Sequence, residues 1–253
     1  MPIIALFPNE KKRHSFELAA QIRAFLEERG VTVVAEDEKA ASIGATPLSQ
    51  IDPTQIQFLI SMGGDGTILR LCHRYSHLNA GMLGINLGHL GFMADIPQND
   101  IYPSLTDLLN GVYTMEKRLM LETGPLLAVN DIVIHRAQNY SLIELALEID
   151  GTYVNTFTAD GIVMATPNGS TAYSLAAGGP ILSPNLDAIV ITPICAHTIS
   201  NRPIVISSDR KIRIKYLSEY GPVDVRADGL DAISLQSGSE LIIQRSKRTF
   251  KWV

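Results

Sequence analysis

The chain has 253 residues, 46% hydrophobic and 19% charged, with 26 acidic against 21 basic side chains and a formal net charge of −5. That apolar content supports a sizeable core and excludes a disordered chain, and the length suits one large domain or two modest ones. With no overall basic excess and no stretch near the roughly 20 apolar residues of a bilayer span, neither a nucleic-acid nor a membrane partner is expected. Arg245, Lys247, Arg248 and Lys251 form the one compact basic run, which reads as a solvated tail. Cys72 and Cys195 lie far apart and give no disulfide framework, so the expected compartment is a reducing cytoplasm. The first apolar run precedes its charges, the reverse of a secretory signal.

In chain order, Ile3 to Phe7 reads as a buried strand. Phe16 to Arg29 reads as a helix stopped by Gly30, and Val31 to Ala35 as a second strand. Gln57 to Met62 is a third strand, running into Gly63-Gly64-Asp65-Gly66. Thr67 to Tyr75 resumes helical spacing, and Met82 to Asn86 is a fourth strand. Strands alternating with helices predict a parallel, Rossmann-like α/β domain over residues 1–99. One further helix is expected over Ser104 to Asn110. From Leu119 onward, runs such as Asp131 to His135, Ile143 to Ile149, Ala188 to Thr192 and Lys211 to Tyr216 are separated by turn dipeptides, among them Asp150-Gly151 and Asp228-Gly229. They predict a mostly antiparallel, β-sandwich-like domain over residues 100–253, with the last residues free to return to the first domain.

Three stretches can carry chemistry. Gly63-Gly64-Asp65-Gly66-Thr67 lies between a buried strand and a helix, where glycines admit close approach and unpaired N–H groups face a phosphate. It matches neither a Walker A loop nor Gly-x-Gly-x-x-Gly, and its apical Asp65 reads equally well as a helix N-cap. Gly84 to Phe92 places a second glycine-rich stretch after the next strand, and ligands of open α/β sheets collect at such ends. The third runs from Asp160 to Ser174, where hydroxyls and a carboxylate suit ribose and amide groups and Tyr173 could line a base pocket. Composition alone favours plain turns there, and Asn130-Asp131 beside a strand is weaker still. The histidines show no ligand spacing, so no structural metal is expected, and no Gly-x-Ser-x-Gly elbow is present.

Taken together, these stretches resemble the NAD kinase family. The match follows the order Gly63 to Thr67, Gly88-His89-Leu90-Gly91-Phe92, Asn130-Asp131, Asp160 to Pro180, Ile191 to His197 and Ser200-Asn201-Arg202-Pro203, across residues 57–230. The Gly-Gly-Asp-Gly loop alone is shared with 6-phosphofructokinases and with diacylglycerol and sphingoid-base kinases; the segment from Asp160 to Pro180 separates them. The resemblance implies transfer of the γ-phosphate of ATP, or of polyphosphate, to the 2′-hydroxyl of the adenosine ribose of NAD, with a divalent cation, usually Mg²⁺. It implies Asp65 as proton acceptor, with Gly63, Gly64, Gly66 and Arg70 at the nucleotides and Phe92 near the adenine. It further implies Asn130 and Asp131 on ribose hydroxyls, and Asp160, Thr171, Ala172, Tyr173, Ser174, Leu175, Ala176 and Cys195 shaping the dinucleotide cleft. Relatives of this kind are homodimers or homotetramers. Asn168, Leu87, Leu230 and Thr158 depart from the commoner family residues. Two rivals stay open: another kinase built on the same loop, acting on a lipid or sugar, and a catalytically silent dinucleotide sensor.

Overall fold

Strand β1, Ile3–Pro8, is buried along its whole length, and β4, Ile56–Gly63, is buried except at Gln57. Near-continuous apolar strands of this kind belong to a parallel sheet covered on both faces. The computed structural model describes residues 1–88, 91–137, 140–197 and 201–253. His89 and Leu90 of the second glycine stretch, and Ser200 of the Ser-Asn-Arg-Pro stretch, lie outside the described residues. The chain divides into two compact units, Met1–Lys117 with Phe250–Val253, and Arg118–Thr249.

The first unit runs β1, α1 (Arg13–Glu27), β2 (Thr32–Ala35), α2 (Asp37–Ile43), β3 (Thr46–Pro47), β4, α3 (Asp65–Tyr75), β5 (Gly81–Asn86) and α4 (Ile101–Leu109). Its strands are parallel in the order β5-β4-β1-β2-β3. Helix α1 buries Ala19, Ile22 and Leu26, one stripe at helical spacing, against this sheet. Chain reversal after α1 and α2 uses Gly30 and Gly44 at φ 77° and 70°, a left-handed backbone that glycine adopts without strain. Helix α4 starts three residues earlier than its expected bound, because Ile101 is buried with Leu105 and Leu108 in the cluster holding Ile4, Leu6 and Ile60. It therefore belongs to the first unit although it lies past the change of texture near residue 100. Lys251 and Trp252 pair in parallel with Gly81 and Met82.

The second unit holds β6 (Glu116–Thr123), β7 (Leu126–Ala128), β8 (Asp131–Arg136), β9 (Ile143–Ile149), β10 (Thr152–Ala159), β11 (Gly161–Ala165), α5 (Tyr173–Ala176), β12 (Ala188–Ile194), β13 (Ile204–Ser207), β14 (Ile212–Tyr216), β15 (Val223–Ala227), β16 (Asp231–Leu235) and β17 (Glu240–Trp252). Two antiparallel layers face each other: β10-β9-β14-β17, and β13-β12-β11-β8-β15-β16. Alternation puts Leu145, Leu147, Phe157, Ile212 and Ile214 of the first layer into one core with Ile132, Ile134, Met164, Ile191 and Val225 of the second. The central strands β8, β11 and β12 are also covered on their outer face, where Val133, Val163 and Val190 pack with Leu182 and Ala177. The segment from Asn168 to Leu182 is thereby laid over the sheet.

Candidate active site

In the first unit, β1 has β2 on one side and β4 on the other, so the strand order reverses between β1 and β4. At such a switch point the loops leaving the carboxyl ends of the two strands part and open a crevice. The loop from Gly63 to Thr67 leaves β4 there, Asn9 leaves β1, and the Asn9 amide donates to Thr67 Oγ1 at 3.1 Å. Gly64 is the N-cap of α3, and its neighbours leave open space around it. The first N–H groups of α3 and its dipole thus face the crevice. Arg70, one turn along α3, is exposed and lines a cavity of about 560 Å³ with Asn9, Lys39, Thr67 and Arg74.

Asp65 does not cap its own helix. Its carboxylate accepts three successive backbone N–H bonds from the last residue of the second glycine stretch and the two residues that follow it. Phe92 donates to Oδ2 at 2.9 Å, and Met93 and Ala94 donate to Oδ1 at 3.1 and 3.0 Å. Gly91 is pressed against it, since a Cβ there would lie 2.1 Å from Oδ1. The two glycine stretches form one construction, with the second gripping the carboxylate of the first. Oδ1 is filled by two bonds, while Oδ2 keeps room for another donor such as a hydroxyl. The Phe92 ring itself is 73% exposed.

In the second unit the antiparallel register sets Asp131 opposite Ala165 and Ile132 opposite Ala227. Asn130, Thr166 and Asp228 therefore emerge together at one end of the adjacent strands β8, β11 and β15. Thr166 bonds both carbonyls of the corner, through Oγ1 to Val129 O at 2.6 Å and through its N–H to Asn130 O at 2.8 Å. Asn168 Nδ2 donates to Asn130 Oδ1 at 2.7 Å. Gly169 fits only as glycine, because a Cβ would stand 2.1 Å from Asn130 O. Asp131 is buried, and its carboxyl is pushed up to about 7, chiefly by desolvation and secondly by the Asp228 charge.

Asp160 and Cys195 stand at the other end of β11, where Arg136 Nε pairs with Asp160 Oδ1 at 3.0 Å and Asp160 N–H bonds Ile194 O. Cys195 is exposed at φ 48°. The Tyr173 hydroxyl is raised chiefly by burial, with the charges of Cys195, Asp160 and Asp131 adding to the rise. Beside it in α5, Ser174 is buried against Thr192 Oγ1 at 2.9 Å and has its hydroxyl turned into the sheet. Leu175 and Ala176 are exposed, and Thr171 and Ala172 half-buried. The hydroxyl-rich segment thus divides into residues that anchor it, Ser170 and Ser174, and residues that present a surface, Tyr173 and Leu175.

Sequence reasoning placed Thr166 and Asn168 within the third stretch without giving either a role, and took Asp228 only as part of a turn. Asp228-Gly229 reads as a turn, and it is one, with φ values of 51° and 68°. Its additional bonds run to residues almost a hundred positions away, for which a dipeptide carries no signal.

Among the described residues no group of three or more His, Cys, Asp and Glu gathers as a metal site, and no helix is long and apolar enough to cross a membrane. Two family models match the chain, the ATP-NAD kinase N-terminal domain over residues 4–113 and the ATP-NAD kinase C-terminal domain over residues 129–253. An NAD kinase of Protochlamydia amoebophila is 54% identical over 256 residues, covering 99% of this chain and 92% of its own. One from Natranaerobius thermophilus is 36% identical over 265 residues, covering 100% and 93%. Yeast NADH kinase complexed with NADH superposes with a TM-score of 0.85 at 25% identity, covering 100% of this chain and 83% of its own. An NAD kinase from Archaeoglobus fulgidus in complex with ATP superposes at 0.80 and 24% identity, covering 100% and 93%, and bears on the fold alone. With the two models matching nearly all of the sequence and these relatives alike along their length, the chain belongs to the NAD kinase family.

Proposed function

We propose that this chain transfers the γ-phosphate of ATP to the 2′-hydroxyl of the adenosine ribose of NAD, giving NADP and ADP. The reading rests above all on the Asp65 carboxylate, held at the start of α3 beside the strand-order switch and keeping acceptor room at Oδ2. A bond forms between the ribose 2′-oxygen and the γ-phosphorus, the bond from that phosphorus to the β,γ-bridging oxygen breaks, and the hydroxyl proton passes to Asp65. Phosphoryl transfer proceeds through a loose transition state, so alignment of the hydroxyl counts for more than its early deprotonation. The N–H groups of Gly63 to Gly66 are assigned to the triphosphate in place of a Walker lysine, the Thr67 N–H being held by Gly64 O at 2.8 Å. Gly66, Arg70 and Phe92 are assigned to nucleotide contacts. Asn130 and Asp131 are assigned to ribose hydroxyls, and Asp160, Thr171 to Ala176 and Cys195 to the walls around the dinucleotide.

The protein offers no cation cage of its own among the described residues. A divalent cation such as Mg²⁺ is therefore assigned to the phosphate oxygens of ATP, arriving with the donor. The cytoplasm is the proposed compartment, supported by the sparse cysteines, and a homodimer or homotetramer the proposed assembly, which sedimentation of the purified chain measures.

The testing experiment detects NADP formed from NAD with ATP or polyphosphate, with and without Mg²⁺, for the wild type and Asp65→Asn. The variant is expected to lose at least about 10² in turnover while still binding NAD. Near-normal turnover rejects the role of Asp65. Absence of NADP from the wild type, alongside NAD binding, favours the silent sensor, and a product from diacylglycerol or fructose 6-phosphate favours the other kinases.

A further inference from the structure

Three consecutive backbone N–H groups of an extended chain cannot all point one way, yet those of Val129, Asn130 and Asp131 converge on one carboxylate. Val129 donates to Asp228 Oδ2 at 2.8 Å, and Asn130 and Asp131 donate to Oδ1 at 2.7 and 3.0 Å. Asp228 N–H returns a bond to Asp131 O at 2.9 Å. The chain bends at Val129 and Asn130 as a result. On the other side of the corner, Thr166 takes both carbonyls and Asn168 takes the Asn130 side-chain oxygen. Every backbone polar group of the corner is engaged, so Asn130 meets a ligand through its side-chain amide, whose N–H₂ end donates and whose oxygen keeps one acceptor site beside its bond from Asn168.

We infer that Asp228 is a positioning residue for the dinucleotide site. It acts through the backbone, gathering three N–H groups so that the Asn130 amide and the Asp131 carboxyl are presented together to ribose hydroxyls. The inference rests on the reading of Asn130 and Asp131 as NAD contacts. Charge-assisted bonds are about twice as strong as neutral ones, and three of them on one side chain set a corner that local propensity would leave straight. Asp228 has a second effect, because its charge lies close to buried Asp131 and disfavours the ionised form there. Asp131 in turn is among the charges that raise the Tyr173 hydroxyl of α5. Asp131 therefore presents a mixture of acid and carboxylate to a ligand near neutral pH, in a proportion set chiefly by its burial and secondly by the Asp228 charge.

The test is steady-state kinetics on the full chain for Asp228→Ala, Asp228→Asn and Asn130→Ala, following KM for NAD, KM for ATP, kcat and the pH dependence of KM for NAD. Asp228→Ala is expected to raise KM for NAD by about tenfold to a hundredfold while KM for ATP stays within about twofold. Asp228→Asn keeps an oxygen for the Asn130 and Asp131 N–H groups and is expected to recover part of that loss. Because it removes the neighbouring charge, it also moves the midpoint of the NAD KM profile to lower pH. A folded Asp228→Ala with unchanged KM for NAD overturns the inference, as does an equal rise in both KM values. If the alanine variant does not fold, a folded Asp228→Asn with an unchanged KM for NAD overturns it. Asn130→Ala separates the two levels. Should it leave KM for NAD unchanged, the reading of the corner as an NAD contact fails; should it raise KM while the Asp228 variants do not, only the positioning role fails.

Discussion

Two aspartates in this protein do the same physical work. Asp65 and Asp228 each gather three successive backbone N–H groups onto one carboxylate, and each thereby bends a glycine- or asparagine-bearing corner that would otherwise run straight. A purely capping role for Asp65 would use the N–H groups of its own helix, whereas the observed donors lie 27 to 29 residues away. Gly91 is the keystone, because any side chain there meets the carboxylate at 2.1 Å. Gly91→Ala is accordingly expected to displace Asp65 and lower turnover by about 10–10². Combined with Asp65→Asn it is expected to add little further loss, since both changes remove one interaction. Fully additive losses in a double-mutant cycle of kcat would show that Gly91 acts elsewhere.

At the scale of elements, the loop between β4 and α3 matters because of where the sheet puts it. Two neighbouring glycines in that loop differ in purpose. A Cβ at Gly63 would meet Thr67 Oγ1 at 2.5 Å, so that position is closed by the fold. A Cβ at Gly64 meets nothing within 4 Å, and φ there is −110°. The fold tolerates a side chain at Gly64, so what such a chain obstructs is an incoming ligand. Gly64→Leu is expected to keep the thermal transition and raise the apparent KM for ATP by about tenfold, more than that for NAD. Equal rises would place the loop at the acceptor rather than the triphosphate. The strands flanking this loop were legible as apolar runs bounded by glycine. Helix α2, Asp37–Ile43, was not: it is seven residues long, buries only Ala40 and Ile43, and shows too little of a stripe for periodicity to register.

For the whole molecule, the buried Asp131 ties the stability of the fold to pH. Its carboxyl is pushed up to about 7 in the folded chain, while in the unfolded chain it titrates near the ordinary value. Below about pH 4 both states hold the proton and the stabilising contribution is complete. Between about 4 and 7 only the folded state holds it, and above that range the folded state carries a buried charge. Stability is therefore lost progressively as the pH rises from about 4 to about 7, where the loss levels off, by an amount on the order of 4 kcal/mol. Asp131→Asn, which mimics the protonated form, is expected to remove this loss. The urea midpoints of wild type and variant should lie close together at about pH 4, separate as the pH rises and stay apart at pH 8, with the variant the more stable. Parallel pH profiles would mean that Asp131 is ionised at neutral pH in the folded chain.

Much of this protein was determined by sequence alone, because alternation of apolar runs, helical stripes and glycine stops are local properties that burial simply obeys. The α/β texture before residue 100, the antiparallel texture after Leu119, and the order of Gly63 to Thr67, Asn130-Asp131 and Asp160 to Pro180 all carry their meaning along the chain. Tertiary structure alone decided which polar groups meet. It turned Asp65 from an apparent helix cap into the anchor of a second glycine stretch, and Asp228 from a turn residue into the clamp of a corner some hundred residues upstream. The physical reason is that a carboxylate's partners are set by where strand register and sheet order bring distant N–H groups, and neither quantity is written in the spacing of residues near it.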